Sequence, residues 1–152
     1  MISNGARLRA RRATMGLTQS AAAAAASVSQ SNWSAHESGA RTLTEAMLSK
    51  LSSAIGFRPS IAARVHRDRI TEICAKHRAS DPRLFGSVAR GTDTVDSDID
   101  VVVAAEPGMT MFDLIALEAE LEALCGVAVD VVTQGALRTA GESWSLLESV
   151  AV

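Results

Sequence analysis

Apolar and polar residues are distributed along this chain with two different periods, and the change falls near residue 80. In the first half, apolar positions recur every three to four residues in short runs, most of them opened by a hydroxyl side chain. Ala6, Leu8 and Met15, set among Arg7, Arg9, Arg11 and Arg12, predict a basic amphipathic helix over 5–15 that Gly16 ends. Thr18 is placed to cap a second helix through Ala21–Ala26, a run of the strongest helix former. Ser29 caps a third, Gln30 to Glu37, with Gln30, Ser31 and Ser34 on its polar side and Trp33 opposite; Gly39 stops it. Thr44 caps a fourth that carries Met47, Leu48, Leu51 and Ile55. After a boundary at Gly56–Ser60, one long helix is expected from Ile61 to about His77, capped by Ser60, with Ile61, Val65, Ile70, Ile73 and Cys74 as its apolar side.

The second half reads with a period of two. A loop over 79–81 leads to a short buried strand at Pro82–Phe85; a second strand is expected over Asp98–Ala104 and a third over Val127–Thr133. Between the last two, a helix from Thr110 or Met111 to about Leu124 offers Phe112, Leu114, Ile115, Leu117, Leu121 and Leu124 as core. Its Glu118, Glu120 and Glu122 share no single face and read as solvated. A final helix from Ala136 to Val150, interrupted at Gly141, brings Trp144, Leu146 and Leu147 to close the domain or meet a partner. The fold expected is α+β: an all-α helix-turn-helix bundle over 1–57 and a small α/β domain with a mixed sheet over 58–152.

Composition narrows the function classes. With 47% hydrophobic and 21% charged residues the chain can build a core. No apolar run approaches the ~20 residues that cross a bilayer, and arginines interrupt the segment where a signal peptide would be apolar. Cys74 and Cys125 lack metal-ligand spacing, so the expectation is a reducing cytoplasm, with no membrane partner. The net charge of −2 conceals a division. Residues 1–80 hold 12 of the 15 Lys and Arg and 4 of the 17 Asp and Glu, a balance of +8; residues 81–152 balance at −10. One half suits a polyanion, the other cations or a basic partner.

The chemistry concentrates in Gly86–Val103. In a strand, Asp98 and Asp100 project to one face and Ile99, Val101 and Val103 to the other. Two such carboxylates, about 6–7 Å apart, repel by roughly 2–3 kcal/mol at an effective dielectric near 20, which invites a cation. An all-oxygen donor set favours Mg²⁺ or Mn²⁺ over zinc. Upstream, Gly86 and Ser87 stand between a strand and a helix, where a glycine lets backbone approach phosphate and free N–H groups favour an anion. Asp130 lies within a Val-rich strand, a costly place for a charge unless it is paired with an arginine such as Arg90 or bound to metal; a third carboxylate at the Asp98–Asp100 site is the preferred reading.

Gly86-Ser87, ten residues, then Asp98-x-Asp100, with Ala89-Arg90-Gly91, Ser97 and the later Val129–Thr133, resembles the signature of minimal nucleotidyltransferases of the DNA polymerase β-like superfamily, over roughly Ile61 to Val152. That resemblance implies transfer of a nucleoside monophosphate from a triphosphate, with ATP the expected substrate. Asp98, Asp100 and Asp130 would hold Mg²⁺, and Gly86, Ser87 and Arg90 would attend the phosphates. The smallest members resemble the antitoxin half of HEPN–MNT toxin–antitoxin pairs, which implies adenylylation of a tyrosine on a HEPN-type toxin protein. This chain has no tyrosine to modify in itself. A non-catalytic regulator that binds nucleotide or a partner, and a small-molecule transferase of the aminoglycoside type, are the alternatives.

Over residues 4–57, Leu8-Arg9, Gly16-Leu17-Thr18-Gln19, Val28-Ser29-Gln30 and Glu37-x-Gly39-x-Arg41 resemble the phage repressor-like (XRE/Cro) helix-turn-helix family. The resemblance implies operator DNA as a partner: Gln19 on phosphate, Gln30, Ser31 and Asn32 at the groove, Arg41 on the backbone, with a homodimer as the default assembly. Three positions depart from the pattern. Ser27 stands at the usual turn glycine, Ala22 at a larger core residue, and His36 at an aliphatic position, where it is expected to pack and not to act as a pH switch.

Overall fold

The computed structural model describes residues 2–141 and 148–152. Four short helices come first: α1 (Asn4–Thr14), α2 (Gln19–Ala25), α3 (Gln30–Ser38) and α4 (Glu45–Ala54). The hydroxyls of Thr18, Ser29 and Thr44 cap α2, α3 and α4 as expected, accepting from the N–H groups of Ala21, Asn32 and Met47. Ser27 takes a positive φ of 55°, the conformation for which a glycine is the usual residue. Leu8, Ala22, Trp33 and Leu48 interlock in the bundle core, and the small Ala22 lets α2 and α3 approach closely. His36 is buried among them, as the packing reading requires.

The single helix expected from 61 to 77 is two: α5 (Pro59–Val65) and α6 (Arg67–Lys76). The break falls at His66, whose ring nitrogen Nε2 lies 2.8 Å from the Thr14 hydroxyl of α1. Helix α5 follows α1, whereas α6 turns to lie on the sheet, so no one apolar stripe serves both and Val65 is exposed. Arg58, not Ser60, is the N-cap residue, because Pro59 occupies the first helical position.

Four strands form the mixed sheet: β1 (Ala79–Phe85), β2 (Ile99–Ala105), β3 (Val129–Thr133) and β4 (Val150–Ala151), in the order β3-β2-β1-β4. Strands β2 and β3 run parallel, and β1 is antiparallel to both its neighbours. β1 starts three residues earlier than the sequence pattern indicates, since an irregularity between Ser80 and Arg83 absorbs Asp81 at a φ of 48°. The helix expected over 136–150 begins at Gln134, is interrupted at Gly141 as expected, and has given way to a strand by Val150. α9 (Gln134–Ala140) ends on Gly141, and Val150–Ala151 instead pairs with β1, where Arg83 donates to the Ser149 carbonyl at 2.9 Å and its hydroxyl at 2.7 Å. Trp144, Leu146 and Leu147, expected to close the domain, lie outside the described residues.

Helix α7 (Gly86–Arg90) follows β1, and α8 (Met111–Cys125) is fixed at its start by a reciprocal Thr110–Asp113 capping box. α6 and α8 cover one face of the sheet, burying Ile99, Val101, Val103, Val129 and Val131. α8 turns Leu117, Leu121 and Cys125 inward at four-residue steps. Phe112 and Ile115, expected in the core, face solvent because that register rotates them away from the sheet. Its glutamates are not uniformly solvated: Glu118 accepts the Val131 N–H of the edge strand at 3.1 Å, and Glu120 binds Lys76 and His77. One apolar core runs from Leu8 in α1 to Val131 in β3. At its centre the buried Arg11 donates to the Gly126 carbonyl at 2.8 Å and to Ser52 at 3.1 Å, and stacks 4.9 Å over the Phe57 ring.

Candidate active site

The alternation expected of β2 is realised. Asp100 stands in the strand and Asp98 just before it, while Ile99 and Val101 are buried behind. Because β2 and β3 are parallel and in register, Asp100 is paired with Asp130. Ligand oxygens of Asp98, Asp100 and Asp130 all lie within 4.8 Å of one another. At that separation a pair of unit charges repels by roughly 3.5 kcal/mol at an effective dielectric near 20, and by about 0.9 kcal/mol in bulk water. The protein leaves this repulsion in place. Among the described residues the ion pairs all engage other carboxylates, so the Asp130–Arg90 pair weighed above is not formed. The Asp100 carboxyl is pushed up to about 6 by burial first and then by Asp98 and Asp130, with Arg90 acting the other way.

Gly86, the first residue of α7 after β1, closes the site. It has a φ of 67°, and a Cβ built there would overlap Oδ2 of Asp100 and lie 3.2 Å from its Cγ. The glycine is therefore required by a carboxylate, a role that its place in a phosphate-binding pattern does not reveal. Ser87 and Arg90 follow on α7, Ser87 half-buried and Arg90 exposed with its charge felt at Asp100.

The loop between α7 and β2 is held from outside the site. Asp93 is buried; its Oδ2 accepts the Ser60 N–H at 2.9 Å, and its Oδ1 accepts from Arg58 at 3.1 Å. Arg58 also donates to the Asp93 carbonyl. Asp96 accepts from Ser49 of α4 at 3.0 Å, and Ser97 accepts the Thr94 N–H within the loop. Asp93 and Asp96 were indistinguishable from other polar turn residues by spacing, since their partners lie 33 to 47 positions away.

Three oxygen-donor side chains, crowded and without a cationic partner, fit a hard divalent cation: an octahedral Mg²⁺ with ligands at 2.0–2.1 Å would space them at or below about 4.2 Å. Cysteine is excluded from this role. Both thiols are buried, and desolvation pushes Cys74 up to about 11 and Cys125 up to about 12.

A second set of residues meets at the start of α3. Gln30, Ser31 and Arg41 are exposed, and Gln19 and Asn32 half-buried. Gln30 donates to Gln19 at 2.9 Å, Gln19 to Glu37 at 2.9 Å, and Arg41 to Asn32 at 2.7 Å. Burial alone would push the Glu37 carboxyl up; hydrogen bonds from Arg12, Gln19 and Trp33 outweigh it and hold the group below the usual range. This network anchors the side chains that the repressor resemblance places at DNA.

Comparisons with known proteins agree with the two regions. A family model described as "Nucleotidyltransferase domain" matches residues 67–150, more than half of the chain, and one described as "Helix-turn-helix domain" matches residues 5–64. A Methanocaldococcus jannaschii protein provisionally named protein adenylyltransferase MJ0435 is 36% identical over 84 residues, covering 55% of this chain and 90% of that protein. Protein adenylyltransferase MntA of Thermococcus cleftensis is 41% identical over 56 residues, 37% of this chain and 57% of its own length. A solved structure titled as a minimal nucleotidyltransferase superposes with a TM-score of 0.56 at 39% identity, over 61% of this chain and 95% of that one. With the family match spanning β1 to β3 and the three aspartates, the chain belongs to the nucleotidyltransferase domain family and carries a helix-turn-helix domain at its amino-terminal end.

Proposed function

We propose that this nucleotidyltransferase is a magnesium-dependent adenylyltransferase that moves AMP from ATP to a hydroxyl of a partner protein, a HEPN-type toxin, and that its amino-terminal region, residues 1–57, binds operator DNA. The observation that carries the reading is the convergence of three carboxylates within 4.8 Å, none of them held in an ion pair among the described residues. The names of the two archaeal relatives support the adenylyl group and a protein acceptor.

In this mechanism Asp98, Asp100 and Asp130 hold the metal. Bound there, a magnesium ion supplies positive charge to the phosphates and to the departing pyrophosphate. Gly86 and Ser87 offer backbone to the triphosphate, and Arg90 adds charge from α7. The acceptor oxygen attacks the α-phosphorus, the bond to pyrophosphate breaks, and the acceptor's proton passes to a carboxylate oxygen of Asp130, which is exposed. Positioning and charge stabilisation carry the rate. The acceptor is a tyrosine on the partner, as the resemblance to HEPN–MNT pairs implies; this chain has no tyrosine of its own to modify.

The test is to incubate the chain with α-labelled ATP, Mg²⁺ and the protein encoded beside it. Label on that protein, lost with Asp98→Ala or Asp100→Ala, is the expected result. Nucleotide binding without transfer would make the chain a regulator, and label on an aminoglycoside would make it a small-molecule enzyme. For the DNA activity, a Kd that weakens steeply with salt is expected.

A further inference from the structure

The three aspartates do not rest on equally supported backbone. Asp100 stands on an interior strand, paired with Phe85 of β1 on one side and with Asp130 of β3 on the other. Asp98 ends the loop that Arg58, Ser60 and Ser49 hold through Asp93 and Asp96. Asp130 stands on β3, the edge of the sheet, where among the described residues no further strand pairs. An edge strand is bonded along one side and presents unpaired N–H and C=O groups along the other. Nothing in one-sided pairing stops such a strand from twisting about its own axis and turning its side chains with it.

On β3 the open side is bonded at one peptide. Oε1 of Glu118, from α8, accepts the Val131 N–H at 3.1 Å. That N–H belongs to the planar unit joining Asp130 to Val131, so the bond fixes the plane that sets ψ of Asp130. The Val131 side chain is buried, and alternation along the strand sends the Asp130 side chain to the opposite face, where it meets Asp98 and Asp100. A buried side chain and a bonded N–H on one residue together set the direction in which its neighbour's carboxylate leaves the strand. Glu118 is itself placed firmly: it is half-buried, next to the buried Leu117, on a helix whose start is locked by the Thr110–Asp113 box. Its charge has no part in this bond, since the amide oxygen of a glutamine accepts from the same N–H.

We propose that Glu118 is a positioning residue of the metal site, holding Asp130 at the spacing from Asp98 and Asp100 that a single cation requires. This rests on reading the three aspartates as metal ligands. Groups that hold a metal ligand in place change affinity by about 10–100-fold when removed. Glu118 acts through backbone and belongs at the lower end of that range. Mg²⁺ titrated calorimetrically into the full chain, with no nucleotide or partner, should bind about 10-fold more weakly to Glu118→Ala than to wild type, with circular dichroism unchanged. Glu118→Gln, which removes the charge and keeps the acceptor, should recover most of the affinity. Should the alanine variant not fold, Glu118→Asp, which keeps the charge and falls short of the N–H, carries the same expected loss. In an Asp130→Ala background, removing Glu118 should cost no further affinity, because its effect passes through that carboxylate. Wild-type affinity in Glu118→Ala, an equal loss in Glu118→Gln, or a further loss without Asp130 would each overturn the positioning role and leave the metal site standing. A wild-type chain that binds no Mg²⁺ would overturn both.

Discussion

Replacing Asp100 by asparagine should inactivate the site and, in the absence of metal, make the protein more stable. The carboxylate stands within 4.8 Å of two others and is half-buried. Each repulsion lies between about 0.9 kcal/mol, fully screened, and about 3.5 kcal/mol at an effective dielectric near 20. Two of the three pairwise repulsions disappear with the charge, and solvent access keeps the gain near the lower part of the range, about 2 kcal/mol. For a chain of this size that corresponds to a rise in Tm of about 4–8 °C. The pH dependence follows from the raised carboxyl. The native state keeps its proton up to about 6, whereas the unfolded chain releases it near 4, so the strain is felt in full above 6 and fades as pH falls toward 4. Thermal unfolding with a chelator at pH 8 and at pH 4 measures this directly: the variant should lead at pH 8 and lose its advantage at pH 4. Adding Mg²⁺ at pH 8 should raise the wild-type Tm and leave the variant's nearly unchanged. An Asp100→Asn protein less stable than wild type at pH 8, or equally advantaged at both pH values, would refute the claim that the site stores repulsion for a cation.

Three further outcomes are expected. Gly86→Ala sets a Cβ against Asp100 and should lower the transfer rate by about 100-fold, as misplacement of a reacting group by about 1 Å does; a steady-state rate near wild type would show that Asp100 can move aside. Gly126→Ala, at a φ of 71° with its Cβ 2.8 Å from the Arg7 carbonyl, should cost about 2–4 kcal/mol and lower a single unfolding transition, whereas two separated transitions would contradict a shared core. Gln30→Ala with Arg41→Ala should weaken operator binding by about 10-fold or more in a salt-controlled titration while adenylyl transfer persists.

How far the sequence was readable depended on how local each cause is. Caps at Thr18, Ser29 and Thr44 are settled within four residues, and the opposed faces of Asp98 and Ile99 follow from strand geometry alone. Asp130 joined the site because a charge inside a valine strand is anomalous in itself. The failures have distant causes. His66 breaks a helix because Thr14, 52 residues earlier, and the sheet pull α5 and α6 apart. Residues 150–151 form a strand because β1 offers an open edge, and a two-residue pairing leaves no periodicity to detect. Phe112 and Ile115 looked like core because apolar residues stand on every side of α8, interleaved with its acidic ones, so its pattern could not say which side meets the sheet. Asp93 gave no signal at all, its partners being Arg58 and Ser60 across the junction.

That junction has a practical consequence. The loop leading to Asp98 is fastened by Arg58, Ser60 and Ser49, none of which lies in the stretch matched as a nucleotidyltransferase domain. A chain trimmed to begin at residue 67 would keep every aspartate and still lose the scaffolding that aims one of them. It would also strip the cover from the end of α8, where the Gly126 carbonyl receives Arg11. The helical region is thus no detachable accessory: the approach to the aspartates runs beside a loop that α4 and the segment before α5 hold in place.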